Sequence, residues 1–429
     1  MNAKAQQQSL PSPSSPGLSK ASPPPASEKG KLITVNDRNL RADVVFRGLS
    51  YPSNMAFLGQ NDILVLEKTN GTVKRIVNGT MMKDPLLDVN VAINDERGML
   101  GIAIAKHKNG PTYVFLYFTE TTKDGDDASG GKNPLGNRLY RYELQNNKLV
   151  NAKLLLDLPA IPGPHHNAGN VLIGPDENIY VAIGDLEDHR TQSQNIQNGS
   201  APDGTSGILR LSQDGKVIQG IFGDKFPLNL YYAYGIRNSF GMDFDPVTKK
   251  LWDTENGPGF GDEINLVEPG FNSGWAKVQG IWKVQNYFGG EIASLSPDNL
   301  VNFNGTGKYS APEFVWNQTV GPTALKFLKS DKLGKQYEND IFVSDINNGN
   351  IYHFKLNGTR TGLLLNGSLV DKIANTIVER NKIVFATGFA GISDMEVGPD
   401  GYLYVLTFHK SRGTIYRIVP IADTSVFNH

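Results

Sequence analysis

Gly398-Pro-Asp-Gly-Tyr-Leu-Tyr-Val-Leu-Thr407 runs through a short polar loop into Thr414-Ile-Tyr-Arg-Ile418. It reads as a tight turn feeding two apolar strands, because Gly, Pro and Asp favour the turn while β-branched and aromatic residues fill the runs. The same unit recurs along the chain. Asp62-Ile-Leu-Val-Leu-Glu67 leads through Asn70-Gly71 to Val73-Lys-Arg-Ile76, and Thr112-Tyr-Val-Phe-Leu-Tyr-Phe118 has Arg138-Leu-Tyr-Arg-Tyr142 as its partner. Asn178-Ile-Tyr-Val-Ala-Ile183 follows Gly174-Pro-Asp, and Lys250-Leu-Trp-Asp-Thr-Glu255 follows Asp245-Pro246. Asp340-Ile-Phe-Val-Ser-Asp345 leads through Asn348-Gly349 to Ile351-Tyr-His-Phe354.

Six such units, at intervals of roughly 50 to 90 residues, predict an all-β protein: a six-bladed β-propeller of four-stranded blades over residues 33–420. Uneven intervals are loop insertions at 123–137, 187–205 and 279–312, and in repeat folds such insertions gather on one face. A strand at 40–46 is expected to pair with the last blade and close the ring, removing open sheet edges. Residues 1–32 are Ser, Pro, Ala, Gln and Lys with almost no large apolar side chain, so they read as a disordered tail, without the apolar core of a signal peptide. Residues 421–429 read as a C-terminal tail.

Composition excludes several classes. The 42 basic and 43 acidic residues nearly cancel, leaving no electrostatic footprint for nucleic acid or anionic lipid. No apolar run approaches the length of about 18 residues needed to span a membrane. Cysteine is absent, which removes disulfides, thiolate catalysis and Cys-ligated metals. Asn-x-Ser/Thr triplets at Asn70, Asn78, Asn198, Asn304, Asn317, Asn357 and Asn366 point to an extracellular, periplasmic or cell-surface protein.

Three polar constellations lie at strand ends, where a rigid scaffold carries its chemistry. Pro164-His-His-Asn-Ala-Gly-Asn170 enters a strand, and Asp185 ends the next one. A loop histidine is a natural general base, and Asp185 could lie beside His166 to fix its tautomer, although His165 and His166 equally read as an exposed loop pair. Arg237-Asn238 follows Tyr234-Gly-Ile; the guanidinium suits a carboxylate or oxyanion, or caps a loop. Asn256-Gly-Pro-Gly259 precedes Asp262 and Glu263, a grouping of backbone carbonyls and carboxylates that suits a hard cation such as Ca²⁺. Zinc is not expected, since no HExxH helix or thiolate is present.

These residues carry a resemblance. Glu96-Arg-Gly-Met-Leu-Gly-Ile-Ala103, the stretch from His166 to Asp185, Tyr234-Gly-Ile-Arg-Asn238, Gly257-Pro258, Asp262-Glu-Ile-Asn-Leu266 and Asn272-Ser-Gly-Trp275 resemble the soluble glucose/sorbosone dehydrogenase family. Its members include six-bladed quinoproteins dependent on pyrroloquinoline quinone (PQQ). The resemblance implies that His166 takes the sugar C1 hydroxyl proton while hydride passes to the quinone, with Asp185 orienting the imidazole. It also implies that Arg237 and Asn238 hold the quinone oxygens, that Gly257 and Pro258 carbonyls bind Ca²⁺, and that a second Ca²⁺ sits near Asp262 and Glu263. Glu96 falls where the family places a substrate-contacting polar residue. The implied partners are a small aldose or oligosaccharide and an external electron acceptor.

The chain also departs from the family pattern. Where PQQ-binding members place a lysine and arginines against the three cofactor carboxylates, this chain has Asn347 or Asn348, Gly391 and Ser393. Each missing charge-assisted hydrogen bond removes about 1.5–3 kcal/mol. Lys326, His409, Lys410 and Arg412 are the cations of neighbouring loops. The departure leaves a second expectation open, a PQQ-less propeller that binds glycan or protein.

Overall fold

The computed structural model describes residues 32–123, 125–127, 134–187, 189–284 and 299–423. The expected N-terminal tail, apart from Leu32, lies outside them, as do the last six residues of the C-terminal tail and parts of all three insertions.

The described chain forms an all-β propeller of six sheets with four or more strands, plus one small hairpin, Val278–Gln279 with Trp282–Lys283. Sheet 1 runs Pro52–Gly59, Asp62–Glu67, Thr72–Val77 and Thr80–Met81, with Leu87–Asp88 on the same edge. Sheet 2 is Met99–Lys106, Thr112–Thr121, Pro134–Gln145 and Lys148–Leu158. Sheet 3 begins Val171–Ile173, Ile179–Ile183, Gly207–Leu211, Tyr231–Tyr234. Sheet 4 begins Gly241–Phe244, Leu251–Glu255, Phe260–Val267, Phe314–Gln318. Sheet 5 begins Pro322–Phe327, Ile341–Asp345, Ile351–Phe354, Val384–Thr387. Sheet 6 is Ile392–Val397, Leu403–Thr407, Gly413–Pro420 and Leu40–Leu49.

The expectation of four strands per sheet holds for sheets 2 and 6 alone. Elsewhere two-residue strands extend the outer edge: Thr34–Val35 joins sheet 5, while Phe271–Asn272 and then Lys308–Tyr309 add in parallel to sheet 3, and Ile373–Ala374 adds in parallel to sheet 4. These segments cover outer strands that would otherwise expose unpaired backbone. The predicted closing strand pairs as expected, with Leu40 opposite Pro420 and Leu49 opposite Gly413. Among the described residues the only α-helix is the five-residue Ile377–Asn381, and none is long and apolar enough to cross a membrane.

Six apolar layers hold the sheets together, each shared by two consecutive sheets. Trp252 and Trp316 of sheet 4 pack with Phe327 and Tyr352 of sheet 5, and Met55 and Val65 of sheet 1 pack with Leu406 and Ile415 of sheet 6. Because both faces of each sheet are covered, second strands such as Ile341–Asp345 and Leu403–Thr407 are buried at every position. This is why they read as continuous apolar runs rather than alternating ones.

First and second strands are antiparallel in each sheet. The loop entering a first strand and the loop leaving a second strand therefore open at the same end of the ring. That end receives the segments before Met99, Val171 and Gly241, and those after Glu67, Ile183, Glu255 and Asp345. Of the polar constellations picked out in the sequence, the His166, Asp185, Arg237-Asn238 and Asn256–Gly259 stretches lie on these segments, while Asp262 and Glu263 lie in the third strand of sheet 4.

Candidate active site

His166 stands on the segment entering sheet 3 and Asp185 on the loop leaving its second strand. Nδ1 of His166 lies 2.5 Å from an oxygen of Asp185. The other Asp185 oxygen accepts the indole N–H of Trp275 at 2.6 Å, and the backbone N–H of Glu187 donates to the first at 3.0 Å. Asp185 is 2% exposed. Burial alone would raise its carboxyl, but the charge and hydrogen bond of His166, then Arg237 and the Trp275 N–H, outweigh burial and hold it below the ordinary value.

The segment that presents His166 is tightly built. His166 and Ala168 adopt φ of 60° and 49°, and Leu186 and Glu187 beside Asp185 adopt 51° and 59°. Non-glycine residues hold this region only where surroundings over-determine them, and such positions cluster at functional sites. The surroundings here are visible. Buried Asn167 donates to the Pro164 carbonyl at 2.5 Å and accepts from Asn137 at 2.9 Å, and the Tyr117 hydroxyl donates to its carbonyl at 3.2 Å.

Gly184, just before Asp185, is the close-approach glycine of the site. A Cβ there would meet the His166 carbonyl at 2.3 Å and the Arg237 carbonyl at 2.5 Å. A Gly184→Ala variant must push the two segments apart, and a displacement of about 1 Å between reacting groups costs on the order of 100-fold in rate. Steady-state kinetics should show that loss in kcat; an unchanged kcat would mean the two segments need not be this close.

Arg237 and Asn238 sit on the segment entering sheet 4. The Arg237 carbonyl accepts the Asp185 N–H at 2.9 Å, its Nη1 donates to the Asn256 carbonyl at 2.8 Å, and its guanidinium carbon lies 5.3 Å from the Trp275 ring centroid. Arg237 Nε and Asn238 Oδ1 are buried without a hydrogen-bond partner. Buried polar atoms in that condition call for a ligand or water.

Glu96 does something the sequence did not reveal. Its Oε2 accepts the backbone N–H of His166 at 2.7 Å and the Asn238 amide at 3.1 Å. It thus fastens the His166 and Arg237 segments to the one entering sheet 2. Trp275 was likewise missed as a partner of Asp185, though the Asn272-Ser-Gly-Trp275 motif was the available signal.

Gly257 and Pro258 follow the second strand of sheet 4, and their carbonyls accept no hydrogen bond from another described residue. The turn is shaped by Asp262, which takes the N–H of Gly257 at 2.8 Å on one oxygen and those of Val320 and Gly321 on the other at 2.6 and 2.8 Å. Burial raises Asp262 to about 6, Asp253 to about 7 and Glu255 to about 8, and it raises Glu263 well above the usual range with Glu255 adding repulsion. Both Asp253 oxygens lack partners. Among the described residues no three His, Asp or Glu side chains converge on one metal-sized position, so a cation bound here would need backbone carbonyls as well. Free carbonyls beside buried carboxylates fit Ca²⁺, and the orphaned Arg237 and Asn238 atoms fit an anionic quinone on one side.

The loops of sheets 5 and 6 are different. Asn347 is exposed beside Gly321, Gly391 packs against the Ile346 carbonyl, and the Ser393 hydroxyl donates to the Pro52 carbonyl. Lys326 is engaged 2.6 Å from Glu396, and Arg412 lies against His409 at 3.0 Å. Lys326 is therefore already paired with a carboxylate, whereas Arg412 faces only an imidazole and Lys410 has no partner among the described residues.

Comparison with known proteins shows the family and the fold. Over 385 residues the chain is 25% identical to the aldose sugar dehydrogenase YliI of Escherichia coli, covering 89% of this chain and 93% of that one. It is 26% identical over 408 residues to an uncharacterized Synechocystis protein, covering 90% and 88%. The fold matches the PQQ-bound aldose sugar dehydrogenase of Streptomyces coelicolor with a TM-score of 0.61 at 21% identity, covering 88% of this chain and 98% of that one. The family profile described as Glucose / Sorbosone dehydrogenase spans residues 49–417, and the chain belongs to that family.

Proposed function

We propose that each sheet is one of six blades, and that the loop-lined end of the ring is a PQQ- and calcium-dependent aldose dehydrogenase site. Its reaction would oxidise a sugar C1 hydroxyl to the lactone. The observation that carries this reading is the His166–Asp185 contact of 2.5 Å with Asp185 held ionised. An ionised carboxylate only accepts, so Nδ1 of His166 donates to it, and in the neutral ring the lone pair then lies on Nε2. Nε2 has no partner among the described residues and serves as general base for the C1 hydroxyl proton. Trp275 and the Glu187 N–H keep Asp185 in place while the imidazolium forms.

When bound, PQQ would supply a hydride acceptor for C1 and Ca²⁺ would supply a Lewis acid. Arg237 and Asn238 would hold the quinone oxygens, and the carbonyls of Gly257 and Pro258 would hold the calcium. Asp262 serves that site by shaping the turn, and Glu263 would contribute to a second calcium site. Glu96 acts on the sugar through His166, whose backbone it anchors. The setting is extracellular, periplasmic or cell-surface, with an external electron acceptor.

One observation favours a second reading, a cofactor-free propeller binding glycan or protein: Asn347, Gly391 and Ser393 offer no cation to a tricarboxylate. Calorimetric titration with PQQ and Ca²⁺ separates the two. Micromolar or tighter binding, weakened about tenfold or more by Arg237→Ala, is expected from loss of a charge-assisted contact. His166→Ala should bind PQQ yet not turn over. No binding at high PQQ would mean that the site has lost its cofactor and would turn the search to glycan and protein partners.

A further inference from the structure

Beside the base stands a second histidine whose surroundings are more charged. His165 Nδ1 is 2.8 Å from Glu187 on the loop leaving the second strand of sheet 3, and its Nε2 is 2.8 Å from Asp95 on the segment entering sheet 2. A neutral imidazole has one acceptor nitrogen, which would face a carboxylate oxygen lone pair to lone pair. Only the cation, with two N–H donors, satisfies both contacts. The other charged groups nearby are Glu96, Lys68, buried Arg97 and His166. Lys68 donates to the Asp95 carbonyl at 2.6 Å, Arg97 donates to the carbonyls of Ala160 and Gly163, and the His166 ring centroid lies 6.2 Å from that of His165. Burial opposes the charge of His165, but its bond to Glu187 and the charges of Asp95, Glu187 and Glu96 prevail and raise it above the ordinary imidazole value.

We propose that His165 is a positioning residue: a charged strut that ties the Asp95 segment to the Glu187 loop and thereby holds the His166 backbone on Glu96 and its ring on Asp185. This rests on the sugar dehydrogenase reading only for its effect on rate. Mechanically, the strut joins the two segments that carry the partners of His166, since Glu96 adjoins Asp95 and Asp185 lies two residues before Glu187. Without it, two carboxylates face one another across the gap. A group raised in the folded state stabilises below its unfolded value, and that contribution is lost as pH rises through the folded one. The strut therefore fails on the alkaline side.

Hydrogen exchange of the apo protein tests this without cofactor or substrate. His165→Gln should lose about tenfold or more of the amide protection over residues 165–168, with the strand Ile179–Ile183 unchanged. His165→Arg, which offers a planar fork of donors toward both carboxylates, should keep it and remove the alkaline decline expected of the wild type. Glu187→Gln should reproduce part of the His165→Gln loss. In the holoenzyme, His165→Gln should lower kcat roughly tenfold or more with KM nearly unchanged, because the base is displaced rather than the sugar released. Unchanged protection in His165→Gln overturns the proposal, and so does lost turnover with protection intact. Lost protection in a protein that oxidises no sugar in any form upholds the strut and sinks the dehydrogenase reading instead.

Discussion

Asp185→Asn is expected to lower kcat by about 10²- to 10⁴-fold while leaving PQQ binding in place, the scale of a lost general base. The carboxylate of Asp185 takes three donors at once: the His166 ring, the Trp275 indole and the Glu187 backbone. An asparagine amide presents an N–H₂ on one side, so one of these contacts becomes donor against donor. If the amide nitrogen turns to His166, Nδ1 becomes the acceptor and the proton moves to Nε2, the atom that should be free to act as base. If it turns to Trp275, a buried indole N–H loses its partner, which costs about 1–3 kcal/mol. Turnover with a dye acceptor at saturating PQQ is the measurement, and a kcat within a few-fold of wild type would remove His166–Asp185 from the mechanism. The variant also changes stability with acid. Asp185 is depressed in the folded state, so its contribution is full above the unfolded value and lost as pH falls through the folded one. That acid-side loss should vanish in Asp185→Asn.

Asn347→Lys is expected to tighten PQQ binding by roughly tenfold or more, one charge-assisted hydrogen bond of about 1.5–3 kcal/mol taken at its lower end for an exposed group. The position is exposed and lies beside Gly321 on the same rim as the Gly257 turn, so a long cation can be added without displacing core. The same is not true of Gly391. A Cβ there would sit 2.5 Å from the Ile346 carbonyl, and an arginine would have to move backbone before it met any ligand. Calorimetry of Asn347→Lys against wild type is the test. An unchanged Kd would mean that the cofactor carboxylates do not approach this loop, or that no tricarboxylate binds.

Much of the ring was legible because its rules are local. Turn residues and apolar runs mark each second strand, and the closing strand was visible from the same pattern. The short outer additions were not, since a two-residue parallel pairing such as Ala233 with Phe271 leaves no periodicity to read. The site divides similarly. His166, Asp185 and Arg237 stood out by chemical type at strand ends, and the fold brings their segments together. Glu96 was legible as a polar residue near the site, but not as an anchor for the His166 backbone, because that bond spans 70 positions. Asp262 reads as a metal ligand by type, yet both its oxygens are filled by backbone N–H groups. His165 looks like a mere neighbour of His166 until its two carboxylates, contributed by distant loops, are seen.

The pairing of Leu40–Leu49 with Gly413–Pro420 also sets a timetable for synthesis. At about 5–20 residues per second, a ribosome needs roughly 20 to 70 s to travel from one of these strands to the other. Through that interval the nascent first strand has no partner along its edge and offers its backbone to whatever strand arrives. A second copy of the chain carries the same Gly413–Pro420 strand, and competes with the chain's own only where its local concentration is high. Crowded translation should therefore favour exchanged dimers, and factors that shield the early chain should govern the yield of monomer.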